Sequence, residues 1–119
     1  MNLPLPRDVA PGVRLTAWRI VEFSFQALEG QDKGGFDVYP EIRVTKNSQG
    51  QNEGRLLLTM NFFGEGPQGF TVHLVAEAKF AGEDLEAEKF ASICRTQGAA
   101  LLVPPLRQFV QEFLSRVYS

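Results

Sequence analysis

The chain has 119 residues, of which 44% are hydrophobic and 22% charged, and this size and composition suit one globular domain. Its 12 basic and 14 acidic residues give a net charge of -2, which argues against a nucleic-acid binder, since such a protein carries a basic stripe. The single cysteine excludes an internal disulfide, and no apolar run approaches the roughly 18 residues of a membrane span, so we expect a cytoplasmic protein without direct membrane insertion.

The first 14 residues predict an irregular arm, because prolines stand at positions 4, 6 and 11. This arm lacks the apolar run of a secretory signal peptide. We therefore expect an irregular arm at residues 1–14 and a folded domain at residues 15–119.

Four runs of alternating residues follow the arm and predict four strands. They cover residues 18–27, 36–46, 55–63 and 70–80. In the first run the alternation slips by one between Ile20 and Val21, which predicts a β-bulge. The second run contains Pro40, so its pairing starts after the proline or it lies at a sheet edge. Strands joined by turns predict an antiparallel sheet with one packed face and one wet face.

The C-terminal third predicts two helices that cover the packed face. Asp84 can cap a short helix that runs through Thr96, and Gly98 would end it. Pro104 and Pro105 would open the second helix, which carries an apolar stripe. Its members are Leu106, Phe109, Val110, Phe113, Leu114 and Val117. The expected fold class is therefore α+β.

Few residues are candidates for catalysis or for a cofactor. Gly64, Gly66 and Gly69 spell G-x-G-x-x-G, but a strand follows them where a dinucleotide site needs a helix, so they predict a hairpin turn. His73 is the only histidine and cannot form a typical zinc site with the one cysteine. A nucleophile pair of His73 and Cys94 would need both on one side of the sheet, and the predicted layout puts them on opposite sides. We expect no cofactor, no metal site and no enzyme, with a small hydrolase built on this pair as the enzymatic alternative.

Residues 90–117 resemble the signature region of the SecB export chaperones. The family has a small-residue helix, an apolar run that ends in proline, and an arginine on a helix that closes with Ser-Arg. The matching residues are Ala91, Leu102, Pro104, Arg107, Ser115 and Arg116. Upstream, residues 22–26 and 40–44 are similar to the family's first-strand segment and its Pro-Glu-Val-Lys-Leu segment. The resemblance spans residues 15–119.

This resemblance implies a four-stranded antiparallel sheet of order 1-4-3-2, covered on one face by two C-terminal helices. It also implies dimers or tetramers that hold unfolded preproteins in aromatic-lined grooves and pass them to the SecA motor. The excess of aromatic residues fits that use. The residues assigned to client binding are Phe36, Val38, Tyr39 and Phe90.

The resemblance places a SecA-docking patch on the exposed sheet surface, at Glu22, Gln26, Val75 and Glu77. Gln26 stands where the family has an acid, which removes one charge from the patch. The family also continues into a further helix after Ser-Arg, so a chain that ends at Ser119 would have a more open groove. A chaperone of an antitoxin and a non-catalytic oligomeric adaptor remain as alternatives.

Overall fold

A computed structural model describes residues 3–118, so Met1, Asn2 and Ser119 lie outside the described part. The five strands are β1 (Arg7–Ala10), β2 (Val13–Ala27), β3 (Gly35–Lys46), β4 (Asn52–Gly64) and β5 (Phe70–Gly82). They form one antiparallel sheet in the order β1-β2-β5-β4-β3. A single helical segment, α1, follows the sheet at residues 87–117. It consists of α-helical Ala87–Ile93, a π-helical turn Cys94–Gly98 and α-helical Ala99–Val117.

The alternation of apolar residues in the central strands decides which face of the sheet is covered. Leu56, Leu58 and Met60 of β4 are fully buried, as is Leu74 of β5. They lie under α1, and we call this face the helix side. The alternate residues of these strands, many of them polar, lie on the other face. No element among the described residues covers it, and we call it the open face.

The predicted β-bulge in the first long strand is confirmed. The register between β2 and β5 shifts between Ile20 and Glu22, which leaves Val21 without a partner and 43% exposed. The extra residue returns Phe23 and Phe25 to the helix side. Of the two alternatives for Pro40, the edge strand is confirmed, because β3 pairs only with β4. The other is wrong, because the pairing starts before the proline, at Gly35.

The expected four-stranded sheet is wrong, because the segment interpreted as an irregular arm supplies a fifth strand. β1 pairs with the start of β2, so that Arg7 lies opposite Leu15. The reversal between them is possible because Gly12 takes a φ of 78°, which is open to glycine. The prolines do not prevent pairing, since Pro4 and Pro6 precede β1 and Pro11 lies in the turn. Before β1, the Trp18 indole donates a hydrogen bond of 2.6 Å to the Pro4 carbonyl.

The expectation of two helices is also wrong, because the chain stays helical from residue 87 to residue 117. Gly98 keeps a right-handed helical φ of -63° and does not end the helix. Its role is close packing: a Cβ at this position would lie 2.7 Å from Cζ of Phe80. Pro104 and Pro105 lie inside the helix, where the packing of the buried neighbours Leu102 and Leu106 outweighs the lost backbone hydrogen bonds.

The helix also begins later than predicted. Ala87 is its first residue, and Asp84 lies before it in a left-handed turn with a φ of 57°. The first turn then places Phe90 against two glycines of the sheet, Gly54 and Gly82, which leave room for its ring. Within residues 3–118, no helix is long and apolar enough to cross a membrane.

Candidate functional site

The helix side of the sheet is only partly covered. Five strands lie under a single helical segment, so α1 buries the central strands and leaves apolar side chains of the outer strands half-buried. Trp18 and Ile20 of β2 and Val38 and Ile42 of β3 are in this position. A partly covered apolar face is a common feature of binding surfaces.

On the β3 flank of α1, one aromatic pair meets a cation. The rings of Phe36 and Phe62 lie with their centroids 5.0 Å apart and tilted by 34°. Cζ of Arg107, on α1, lies 5.0 Å from the centroid of the Phe36 ring. Phe36 remains 37% exposed. With Val38, these residues form a surface that we call the β3 rim, where apolar contact area lies beside a guanidinium donor.

On the β2 flank, aromatic residues line the contact between the sheet and the end of α1. Phe23 meets Phe109 and Phe113 edge-on, with centroid distances of 5.5 and 5.0 Å. The contacts continue from Phe25 to Phe113 and Tyr118, and from Phe70 to Tyr118. All these rings are half-buried, and we call the set the aromatic strip. Its members are Phe23, Phe25, Phe70, Phe109, Phe113 and Tyr118.

The aromatic strip is not among the site residues predicted from the sequence. A signal was present, because Phe23 and Phe25 share one strand face and Phe109 and Phe113 lie one helical turn apart. The pattern does not reveal that these rings lie at the margin of the core, since that depends on where α1 crosses the sheet.

The two groups considered for catalysis lie on opposite faces. His73 is on the open face, where its Nδ1 lies 2.8 Å from Oδ1 of Asn61 and its Nε2 lies 3.5 Å from Oε2 of Glu22. Cys94 is fully buried on the helix side, and this burial raises the pKa of its thiol to about 12. The thiol is therefore protonated at neutral pH, and the two residues do not form a nucleophile pair.

No family model and no curated protein matches the chain. Among solved structures, the chain is similar to the Rv1957 SecB-like chaperone of Mycobacterium tuberculosis, determined in complex with a ChAD peptide from the Rv1956 HigA1 antitoxin. The TM-score is 0.62 and the sequence identity 16%, over 93% of this chain and 88% of the other. The fold is SecB-like.

In this SecB-like fold, the predicted client-binding residues do not form one cluster. Phe36 and Val38 lie together on the β3 rim. Tyr39 follows Val38 in the strand, so it points to the open face, where it is 59% exposed. Phe90 is 0% exposed and belongs to the core. Client binding thus stays a prediction for Phe36 and Val38, while Tyr39 and Phe90 lie apart from them.

The predicted docking residues do share the open face of the SecB-like sheet. Glu22 lies opposite Val75, and Gln26 lies opposite Thr71 further along the same strand pair. Glu77 is only 5% exposed, because two arginines cover its carboxylate. Arg55 donates a hydrogen bond to Oε2, and Arg19 Nε donates to Oε1 at 3.2 Å. The hydrogen bond from Arg55 is the main cause of the lowered pKa of Glu77, so this carboxylate stays ionised. Glu22 is then the one exposed acid among the four.

Proposed function

We propose that this protein is a holdase-type chaperone that binds extended, apolar segments of unfolded proteins on its helix side. The observation that carries the proposal is the pair of half-buried apolar flanks, the β3 rim and the aromatic strip, on either side of α1 in a SecB-like fold. Rings that are already fixed by neighbouring rings present contact area with little further loss of side-chain freedom.

The β3 rim suits an extended client segment for a second reason. β3 is an edge strand, so one side of its backbone has no partner strand among the described residues. A client strand added at this edge would form backbone hydrogen bonds with β3, while alternate client side chains would contact Phe36 and Val38. Backbone pairing is independent of sequence, which is what a chaperone with many clients requires.

Export preproteins are the broader class of client in this proposal, and SecA docking on the open face would belong to that role. An antitoxin is the second candidate client, since the structure of the similar Mycobacterium tuberculosis chaperone was determined in complex with an antitoxin peptide. Within the predicted docking patch, Glu22 is the exposed acid available to a basic SecA segment, because Arg19 and Arg55 neutralise Glu77. The proposal also holds that the protein is a cytoplasmic homo-oligomer without catalytic activity. The alternative is an oligomeric adaptor that binds no client.

The test is aggregation of a chemically denatured, aggregation-prone reporter protein, followed by light scattering with stoichiometric amounts of this protein. We expect suppression, together with a complex of larger mass in size-exclusion chromatography. A protein that self-assembles but leaves aggregation unchanged even in excess would be an adaptor, and the chaperone proposal would be wrong. A higher affinity for an antitoxin peptide than for a generic apolar peptide, measured by fluorescence titration, would favour an antitoxin as the client.

A further inference from the structure

The open face carries three cations side by side on three neighbouring strands. Lys79 of β5 lies directly opposite Arg55 of β4, and Arg55 lies directly opposite Arg43 of β3. We call these three residues the cation row. Like charges that lie directly opposite each other in a sheet are destabilising. The register of the sheet therefore places three positive charges where they repel one another.

The carboxylates of the open face only partly balance this charge. Arg55 is paired with Glu77. The nearest carboxylate to Arg43 is Glu41, with the two charged groups 4.0 Å apart and both largely exposed, which is a weak contact. Lys79 is exposed, and within residues 3–118 its ammonium group makes no ion pair. A negative partner would therefore meet at least two cations that have no strong internal partner.

These cations line an open depression of about 530 Å³ in the sheet surface. Thr16, Thr45 and Glu53 contribute to its walls, and Glu53 is the one carboxylate among the lining residues. The Thr16 hydroxyl donates to the Lys79 carbonyl at 3.1 Å, which fixes this part of the wall. The depression thus combines three cations with one acid, and its net charge is positive.

We propose that the cation row docks an acidic, extended segment of a partner protein. Neighbouring strands lie about 4.8 Å apart, so the row spans about 10 Å. An extended peptide that crosses the strands places alternate side chains about 7 Å apart, so two alternate acidic residues fit within the row. Guanidinium groups such as that of Arg43 bind carboxylates through two parallel hydrogen bonds.

A nucleic acid suits the row less well than an acidic peptide. Glu41 and Glu53 lie on the same face, two positions along their strands from Arg43 and Arg55, and they would repel a long phosphate backbone that continues beyond the three cations. The chain as a whole has a net charge of -2. A short acidic segment would contact only the residues that line the depression. This partner has the opposite charge to a basic SecA segment, and its site is on the opposite face from the proposed client surface.

Fluorescence anisotropy with a labelled oligoaspartate peptide tests the proposal. The comparison probes are a Ser-Gly peptide of the same length and a single-stranded oligonucleotide of the same charge. We expect oligoaspartate alone to bind appreciably, and its binding to weaken steeply with added salt because the row is exposed. Absence of oligoaspartate binding at low salt, or tighter binding of the oligonucleotide, would overturn the proposal.

Matched variants locate the binding. Lys79→Gln should weaken oligoaspartate binding about three- to fivefold, whereas Lys89→Gln, at an exposed position of α1, should change it less than about twofold. Lys79→Arg should retain binding, and Glu53→Gln should tighten it. Equal losses for Lys79→Gln and Lys89→Gln would assign the binding to net charge alone and refute the site. If light scattering shows an oligomer that Lys79→Gln dissociates, a second copy of the chain occupies the row and the proposed partner is wrong.

Discussion

Two residues close together in β3 allow a sharp test of the helix-side client surface. Phe36 is on the β3 rim and 37% exposed, whereas Tyr39 is on the open face and 59% exposed. An aromatic side chain buries about 200 Å² when it is fully covered, so a client that covers the exposed third of Phe36 removes about 75 Å² from water. At about 25 cal/mol per Å², this contact contributes about 2 kcal/mol, or roughly a 25-fold change in affinity.

We therefore expect Phe36→Ser to weaken binding of an extended apolar peptide by roughly one order of magnitude or more, and Tyr39→Ser to leave it nearly unchanged. The measurement is a fluorescence titration with the same labelled peptide for wild type and both variants. Phe36→Ser also removes contacts with Phe62 and Arg107, so circular dichroism and a urea titration must first establish the folded fraction of each variant. If a fully folded Phe36→Ser binds like wild type, or if Tyr39→Ser shows the larger loss, clients do not bind at the β3 rim.

Three further predictions concern the elements that hold these surfaces in place. Gly98→Ala should gain about 1 kcal/mol of helix propensity but lose about 1–3 kcal/mol through overlap with Phe80, so we expect net destabilisation in wild type and net stabilisation in a Phe80→Leu background. Urea unfolding of the four proteins in this cycle measures these changes. Stabilisation in both backgrounds would contradict the close contact with Phe80, and destabilisation in both would contradict a continuous helix at Gly98. Lys79→Glu should stabilise the fold by up to about 1 kcal/mol, because it replaces repulsion of Arg55 by attraction, and a lower melting temperature would contradict that expectation. Because the pKa of Glu77 is lowered in the fold from its ordinary value of about 4.5, its stabilising effect is present above that value and is lost as pH falls through the lower folded pKa. Acid unfolding should thus be less steep in Glu77→Gln, as followed by tryptophan fluorescence.

The sequence predicted the long strands well where a single face is buried. In β4 and β5 the alternation of apolar residues follows the buried helix side closely, and the slip at Val21 marks a real bulge. β1 was missed because it is short and lies among prolines that point to irregular structure. Its pairing depends on a turn at Gly12, and a run of four residues has too little alternation to reveal this.

The prediction of two helices is wrong because glycine and proline occur inside helices as well as at their ends. Gly98 and Pro104 are typical helix boundaries in a sequence, and here both lie within the helix. At Gly98 the reason is tertiary, since Phe80 on β5 leaves no space for a side chain. A contact between residues this distant in the chain is not visible in local patterns.

The candidate site was predictable in part. Strand alternation places Phe36 and Val38 on one face of β3 and Tyr39 on the other, but the resemblance grouped all three as client-binding residues. The pairing of Glu77 with Arg19 and Arg55 was not predictable, because it depends on the register of three strands and on the bulge that shifts β2. The cation row was hidden for the same reason, since its three members are far apart in the chain.

Salt separates the two proposed binding activities, because the two faces of the sheet rely on different forces. Apolar contacts at the β3 rim and the aromatic strip do not depend on charge, and salts that are excluded from protein surfaces strengthen such burial. Contacts at the cation row are exposed ion pairs, and they are screened once the Debye length falls to about 3 Å at 1 M salt. Raising the ionic strength should therefore release an acidic peptide while an apolar client stays bound. If both ligands dissociate together, ion pairs contribute to the binding of both, and the separation of an apolar helix side from a charged open face does not describe how this protein binds.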